Sequence, residues 1–506
     1  MQSFARWGVL LVLCVIACGS EIFIKNAQAQ TFIINGKITE PPAGTGTPIQ
    51  GVDVLLVLNG NTQMSTQTDS SGNFSFSNVP AGSNYNVTPS KPTFTFSPDS
   101  QGGTNIQANR TLFFTGSGSA SGTLQLSAAA ASVSEGTADI VVTVTRSGGS
   151  ATQATVEYST SDTAGASACS TVNGAASSRC DYLTTLGTLT FAAGETSKTI
   201  SIPLIDDVFA EGNETFSIAL SNATGATLGA TTSETITIND NDSSTGTTNP
   251  IDDATFFVRQ HYLDFLNREP DTSGLNFWVN EITSCGSNTQ CREIKRINVS
   301  AAFFLSIEFQ ETGYLVYRIY KSAFGDLSGK PVPVRFLSFL KDTQRIGQGV
   351  QVGVGNWQAQ LEANKQAYTL ALVQTAEFQA AFPNSMTAQQ IVDKLNQNAG
   401  NVLSASENAN LVAVLGATPS DVSKRSQVLR AVAEDQTLKD AELNKAFVLM
   451  QYFGYMRRNP DDAPDADFSG YNFWLNKLNS FFGNFVNAEM VKAFISSDEY
   501  RKRFGP

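Results

Sequence analysis

The sequence predicts a multidomain protein, two all-β sandwiches followed by an all-α domain. Three observations predict it. Short runs alternating apolar and polar residues with period two fill 31–115 and again 123–242. The period changes to 3.6 at about residue 252 and holds to residue 506. Segments rich in Gly, Ser and Thr, at 116–122 ("GSGSASG") and 243–251, read as linkers between the blocks.

Ahead of the first block, Arg6, the apolar run "WGVLLVLCVIACG" and the small-residue site Ala27–Ala29 read as a signal peptide over 1–29, so that the folded part begins at Thr31. A lipobox reading of "VIAC", with Cys18 lipidated, stands beside it. The run is too short to span a bilayer and no second one follows, so the mature chain is expected to carry no transmembrane span. The expected location is secreted, or attached to the cell surface. A charged fraction of 15% suits such β-rich exported modules better than a cytosolic enzyme. The net charge of −12 argues against a nucleic-acid partner, whose phosphates would be repelled, and favours divalent cations. The six cysteines form three close pairs. Cys14 and Cys18 lie in the signal. Cys169 with Cys180 and Cys285 with Cys291 read as disulfides, since no histidine or third cysteine stands nearby to hold a metal.

In the first block, "VDVLLVL" is a strand and Asn59–Gly60 a hairpin turn. In the second, "TLQLS", "ADIVVTVTRSG", "ATVEYST", "GTLTF", "SKTISIPLI", "ETFSIALS" and "SETITIND" make seven strands, enough for a sandwich. Between two of them, "IDDVFAEGNETF" crowds Asp206, Asp207, Glu211 and Glu214 together. Glu135 in "SVSEG", Asp181 in "CDYL", and Asp240 and Asp242 in "NDND" also fall at strand ends. If these ends share one pole, the carboxylates repel one another at a cost of several kcal/mol unless a cation intervenes. Oxygen donors without His or Cys specify Ca²⁺, and Mg²⁺ tolerates fewer protein oxygens. On spacing alone a second reading stands equally, in which the acids populate turns for solubility and hold no ion.

From residue 252 onward "DATFFVRQHYLDFLN", "GLNFWVNEI", "AAFFLSIEF", "KQAYTLALVQTAEF" and "AEMVKAFISS" read as amphipathic helices. The glycine-rich stretch at 347–355 has no strand before it and no helix directly after, so it reads as a loop and not a nucleotide site. The block repeats itself. Arg268, Pro270, Asp271, Gly274, Asn276, Phe277 and Trp278 recur as Arg458, Pro460, Asp461, Gly470, Asn472, Phe473 and Trp474, with six extra residues in the second acidic turn. A Ser/Thr-x-Glu-aromatic pattern recurs at Ser306, Thr375 and Ser497. Asp271 or Ser273 is expected to cap a helix and Trp278 to enter the core. The plain reading of these turns is structural. A carbohydrate or calcium contact is the alternative, and "NPDDAPDADFSG" offers Asp461, Asp462, Asp465 and Asp467 without EF-hand spacing. His261, the single histidine, reads as a surface or half-buried residue. With the single histidine placed on an amphipathic helix beside Arg259, Ser–His–Asp or Cys–His catalysis and histidine-ligated zinc are not expected.

On these motifs the block 123–242 resembles a Calx-beta domain, the module of sodium–calcium exchangers and many bacterial surface proteins. The resemblance implies an immunoglobulin-like sandwich and calcium ligands at Glu135, Asp181, Asp206, Asp207, Glu211, Glu214, Asp240 and Asp242, joined by the Phe209 carbonyl. Asn241 replaces the middle acid of the terminal triplet, and the Cys169–Cys180 insertion beside Asp181 is a further departure. Residues 31–115, through "GKITE", "IQGVDVLLV" and "TQTDSSGNFSFSNVPAGSNYNV", resemble the Cna protein B-type and carboxypeptidase regulatory-like, prealbumin-like sandwiches. Some relatives form a Lys–Asn isopeptide bond. Lys37 and Asn109 are conceivable partners here, with a solvated lysine and a turn asparagine as the plain reading. Residues 252–506 resemble the bacterial domain of unknown function 4214. The expected whole is a non-enzymatic, calcium-binding bacterial protein of adhesion or matrix interaction, its β modules a calcium-stiffened stalk, with matrix, glycan or a surface protein as partner. The rival is an extracellular enzyme such as a carbohydrate-active hydrolase, using Asp271 and Glu308 of the helical block.

Overall fold

Period-two alternation folds into seventeen strands, and the 3.6-residue pattern into helices, in a computed structural model that describes residues 30–91, 94–118, 122–165 and 168–506. The signal-peptide and lipobox readings, with Cys14 and Cys18, lie outside the described residues. Among the described residues no helix is long and apolar enough to cross a membrane. The chain divides into two compact units, Met1–Ser119 and Ala120–Pro506.

The first unit holds β1 (Thr31–Thr39), β2 (Asp53–Leu58), β3 (Thr62–Gln67), β4 (Asn73–Pro80), β5 (Tyr85–Ser90), β6 (Phe94–Ser97), β7 (Gln101–Gly103) and β8 (Arg110–Gly118). They form two sheets, β4-β1-β8-β6 and β3-β2-β5-β7, closed over Ile34, Val54, Leu56, Phe74 and Phe114. The register pairs Lys37 with Phe113, while Asn109 Oδ1 accepts from the Ile33 amide at 2.9 Å. Lys37 is half-buried opposite Phe113, whereas Asn109 is exposed and precedes β8. β8 runs through Gly118 and the next strand begins at Gly122, so both ends of the expected 116–122 linker are strand.

The second unit begins with nine strands: β9 (Gly122–Leu126), β10 (Ala130–Ser134), β11 (Asp139–Ser147), β12 (Ala154–Thr160), β13 (Leu186–Phe191), β14 (Ser197–Pro203), β15 (Glu214–Thr224), β16 (Ala226–Leu228) and β17 (Ser233–Asn239). The sheets are β10-β17-β15-β12-β13 and β14-β11-β9-β16. The sequence showed seven of these nine. The two it missed, β10 and β16, are edge strands whose side chains are half-buried or exposed, so neither needs the apolar alternation that betrays a core strand. Val142, Val144, Phe191, Ile202, Phe216 and Ile236 fill the core, where Tyr182 stacks on Phe216 with ring centroids 3.9 Å apart.

The sandwich does not end in a free linker. Leu183 and Ile205 leave its core and join that of the helices. Gln344 clamps the strand region from the helical side, donating to the Thr184 carbonyl (2.6 Å) and accepting from the Leu186 amide (3.0 Å). Arg259 donates to the carbonyls of Ala138 and Leu204 at 3.0 and 2.7 Å. Asn249, expected in a linker, is buried and donates to the carbonyls of Arg501 and Gly505 at 2.9 and 3.0 Å. Sandwich and helices are therefore one body.

The helical repeat is a structural cassette. Each copy has a π-turn, Tyr262–Leu266 and Tyr452–Met456, that ends on a left-handed residue, Asn267 or Arg457. Arg268 then holds Glu308 at 2.7 and 2.8 Å, and Arg458 holds Glu499 at 2.6 and 3.0 Å. The two recurring motifs thus pair with each other. Gly274 and Gly470 recur because a Cβ there would stand 2.2 Å from the Tyr262 hydroxyl or 2.7 Å from that of Tyr452. Asp271 caps the helix Thr272–Thr283, and Trp278 and Trp474 pack partly buried against the core. His261 corrects its sequence expectation. It is fully buried, its ring nitrogens 2.7 Å from the Phe257 carbonyl and 2.9 Å from Ser300 Oγ, and burial pushes its pKa down to about 4. At the centre of this core Asp264 and Arg503 form a buried ion pair through two bonds of 3.0 Å. Arg503 also donates to the Arg179 carbonyl of the sandwich at 2.6 Å. Replacing it by methionine strands a buried carboxylate. Arg503→Met is expected to lower unfolding free energy by about 3–5 kcal/mol in urea denaturation of the full chain.

Candidate metal centre

Strand directions bring the acidic residues to one pole. β10 and β17 are parallel, so the residues after them, Glu135 and Asp240, emerge together. β15 runs antiparallel to β17, which returns its first residue, Glu214, to the same end opposite Ile238. β14 pairs antiparallel with β11, Asp139 against Pro203, so the loop that follows it carries Ile205, Asp206 and Asp207 to that end as well.

Two groups of three carboxylates result, each with oxygens within 4.8 Å of one another: Glu135, Asp240 and Asp242, and the fully buried Asp181, Asp207 and Glu211. Main-chain bonds tie the groups together. The Asp207 amide donates to Glu135 Oε1 at 3.2 Å, and Asp240 Oδ2 accepts from the amides of Glu211 (2.9 Å) and Gly212 (2.6 Å). Gly212 turns with φ +77°, a conformation that disfavours side chains. The other three expected positions lie around these groups. Glu214 is buried beside Asp181, and, after burial itself, its charge helps raise the Asp181 pKa. The exposed Asp206 accepts from Asn241 Nδ2 at 3.0 Å, so the asparagine that replaces the middle acid braces the pole. The Phe209 amide donates to Asp207 Oδ1 at 2.7 Å, and its ring packs on the Cys169–Cys180 disulfide. That disulfide leaves Asp181 in the cluster and does not displace it. The second disulfide, Cys285–Cys291, lies in the helical block.

Burial and mutual repulsion raise the carboxyls. Burial lifts Asp207 to about 10, Glu211 to about 8 and Glu135 to about 7, with neighbouring acids adding to each, and it carries Asp181 well above the carboxylate range. Asp181 Oδ1 and Asp207 Oδ2 are buried without any partner. Unsatisfied buried carboxyl oxygens in an all-oxygen donor set suit a hard divalent cation, which displaces their protons on binding. What the sequence could not supply is the set of amides that orient these groups, from Ser177, Glu211 and Gly212, since a backbone donor has no residue signature.

The helical acids are arranged differently. Asp461 pairs with Lys330 and Arg335, Asp462 with Arg335 at 2.8 Å, and Asp465 with Arg458 at 2.8 Å. Three acids of the turn that offered a calcium contact are thus engaged by cations of the protein itself, and the fourth, Asp467, accepts from the Ser469 amide at 2.8 Å.

The arrangement is that of an extracellular-type β module with an acidic pole, fused to a helical body. Comparison with known proteins gives the modules their families. Residues 119–242 match the Calx-beta domain, 33–112 the carboxypeptidase regulatory-like domain, and 243–312 a domain of unknown function (DUF4214). The chain is 29% identical over 105 residues to chitinase ChiA of Flavobacterium johnsoniae, a match covering 21% of this chain and only 6% of that enzyme. Among solved structures, the apo-form Calx CBD1 domain is 29% identical, covering 24% of this chain and 98% of that one at a TM-score of 0.21. The calcium binding domain CBD12 of CALX1.1 is 31% identical, covering 24% and 46% at a TM-score of 0.21.

Because the folded protein raises these pKa values, it favours the protonated acids. Their contribution is present in full below the unfolded carboxylate range near pH 4 and is lost as pH climbs through about 7 to 10. In chelator, the melting temperature is expected to fall steadily between pH 5 and pH 9 in calorimetric scans. A flat profile would contradict the buried, crowded pole.

Proposed function

We propose that the acidic pole binds calcium, and that the chain is a secreted or cell-surface binding protein in which the ion stiffens the β module against the helical body. The observation that carries this reading is the pair of unpartnered, buried carboxylate oxygens on Asp181 and Asp207 within an all-oxygen cluster. Six to eight oxygens are what Ca²⁺ takes, and carboxylates from four separate loops supply that number without His or Cys. The match to the Calx-beta domain supports the same ion. Two disulfides agree with an oxidising, extracellular setting. The helical body, held rigidly on the sandwich, then presents a surface for adhesion to matrix, glycan or another surface protein.

A role without catalysis is part of the proposal. The carboxylates that a hydrolase in the helical body would draw on are committed: Asp271 to the amide of Gly274 at 2.8 Å, and Glu308 to Arg268.

Calorimetric titration of the full chain with Ca²⁺ tests the reading. The isolated sandwich is unsuitable, since Leu183 and Ile205 would lose their helical packing. Wild type is expected to bind with release of protons and to melt several degrees higher with calcium. Asp207→Asn mimics the protonated acid, so it should leave the metal-free melting temperature unchanged or raised while cutting calcium affinity at least tenfold. Equal affinity in wild type and variant, or no heat in either, sinks the proposal.

A further inference from the structure

The two copies of the helical repeat differ most tellingly just past one helix. Gly286 follows the helix Thr272–Thr283 with φ +55°, and its amide bonds the Thr283 carbonyl at 3.0 Å. The offset that relates Trp278 to Trp474 puts Phe482 in its place, after the helix Ser469–Ser480. Phe482 has φ +52°, and its amide bonds the Asn479 carbonyl at 3.0 Å. The preceding amides match too, Cys285 to Ile282 and Phe481 to Leu478. At these two positions the turns match, before the second copy adds another left-handed residue at Gly483 (φ +81°), and the matched left-handed position asks for glycine. One copy obeys. The other puts phenylalanine there, at a cost in strain, and leaves the ring 98% exposed.

Nothing within the fold gains from that ring. Phe481 and Val486 beside it are 40% and 45% exposed, while Phe485 turns inward and anchors the loop against Phe447. From Asn479 to Ala488 the segment has no charged residue, in a chain of net charge −12. Three of its polar side chains turn back on the protein. Asn479 Oδ1 accepts from Asn444 at 2.8 Å, Ser480 Oγ donates to the Lys477 carbonyl at 2.7 Å, and Asn484 Oδ1 accepts from the amides of Val486 and Asn487 at 3.1 and 2.9 Å. The tip therefore offers apolar surface with little hydrogen-bonding demand, which suits a hydrocarbon boundary better than the polar rim of a protein interface. Three such side chains bury on the order of a few hundred Å², far short of the roughly 1,600 Å² of a stable contact between two copies. The absence of lysine or arginine in the tip, and the chain's negative charge, disfavour an anionic membrane.

We infer that the Phe481–Phe482 tip is a lipid-contacting finger that inserts reversibly into a neutral, zwitterionic bilayer surface. The inference is independent of the calcium reading. Its test is co-sedimentation of the full exported chain with phosphatidylcholine vesicles. Wild type is expected to partition onto them. Phe482→Gly is expected to lower the partition coefficient roughly ten- to a hundredfold, with the melting temperature held or raised because the strain is relieved. Phe482→Asn, also tolerated in the left-handed region, should behave alike. Wild type that stays in the supernatant, or sediments no better than Phe482→Gly, overturns the inference. So does a wild-type dimer in sedimentation velocity that Phe482→Gly dissociates, since the tip would then join two copies.

Discussion

Everything in the second unit turns on two short segments, residues 181–183 and 205–209, which serve three environments at once. Asp181 enters the acidic cluster, Tyr182 stacks in the sandwich core, and Leu183 packs among the helices. The Ile205 amide donates to the Asp181 carbonyl at 3.0 Å, locking the segments side by side. Ile205 then enters the helical core, Asp207 the cluster, and the Val208 amide donates to the Phe504 carbonyl at 3.2 Å near the chain's end. No residue of this set can move alone. Repulsion at the acidic pole is transmitted directly to the contact between sandwich and helices, and whatever relieves it steadies that contact.

The magnitudes show why relief matters. Keeping Asp207 protonated at pH 7 when its pKa stands near 10 costs the folded state on the order of 4 kcal/mol relative to an unfolded carboxyl. That is comparable with the whole net stability of many domains, about 5–15 kcal/mol. Part of the offset is built in. The disulfide ties Cys180, next to Asp181, to Cys169, Phe209 packs on it, and the buried Asp264–Arg503 pair reaches back to the Arg179 carbonyl. These contacts fix the loops, but none neutralises the cluster. On the proposed reading, a divalent cation would do so at the oxygens that lack partners.

Local pattern revealed what is local. Alternation exposed the core strands, the change of period exposed the helices, and acids at strand ends exposed the pole once the strand directions were known. What stayed hidden depends on distant partners. Leu183 and Ile205 look like ordinary apolar residues at the sandwich's edge, so nothing announced that they belong to another core. The segment at 243–251 has a linker's composition, yet Asn249 is buried because three chain-terminal carbonyls converge on it. His261 sits in an amphipathic run, and only the packing of Ser300 and Tyr455 around it makes a buried imidazole tolerable. The repeat exposed both the arginines and the glutamates, but their pairing spans 40 residues and is visible only in three dimensions.

The repeat also separates folding from function. Much of what both copies keep is accounted for by the cassette itself: the arginine grips its glutamate, the glycine admits the tyrosine hydroxyl, and the tryptophan lies against the core. Where the copies part, folding no longer dictates the residue. Even a residue both copies keep can change its partner: Asp271 caps a helix, whereas Asp461 turns to Lys330 and Arg335. Cys285 closes a disulfide, whereas Phe481 faces solvent in its place. Gly286 satisfies the left-handed turn, whereas Phe482 strains it. A duplicated backbone thus provides its own control: the first copy shows what that turn requires, and the aromatic in the second must be explained by something outside the fold.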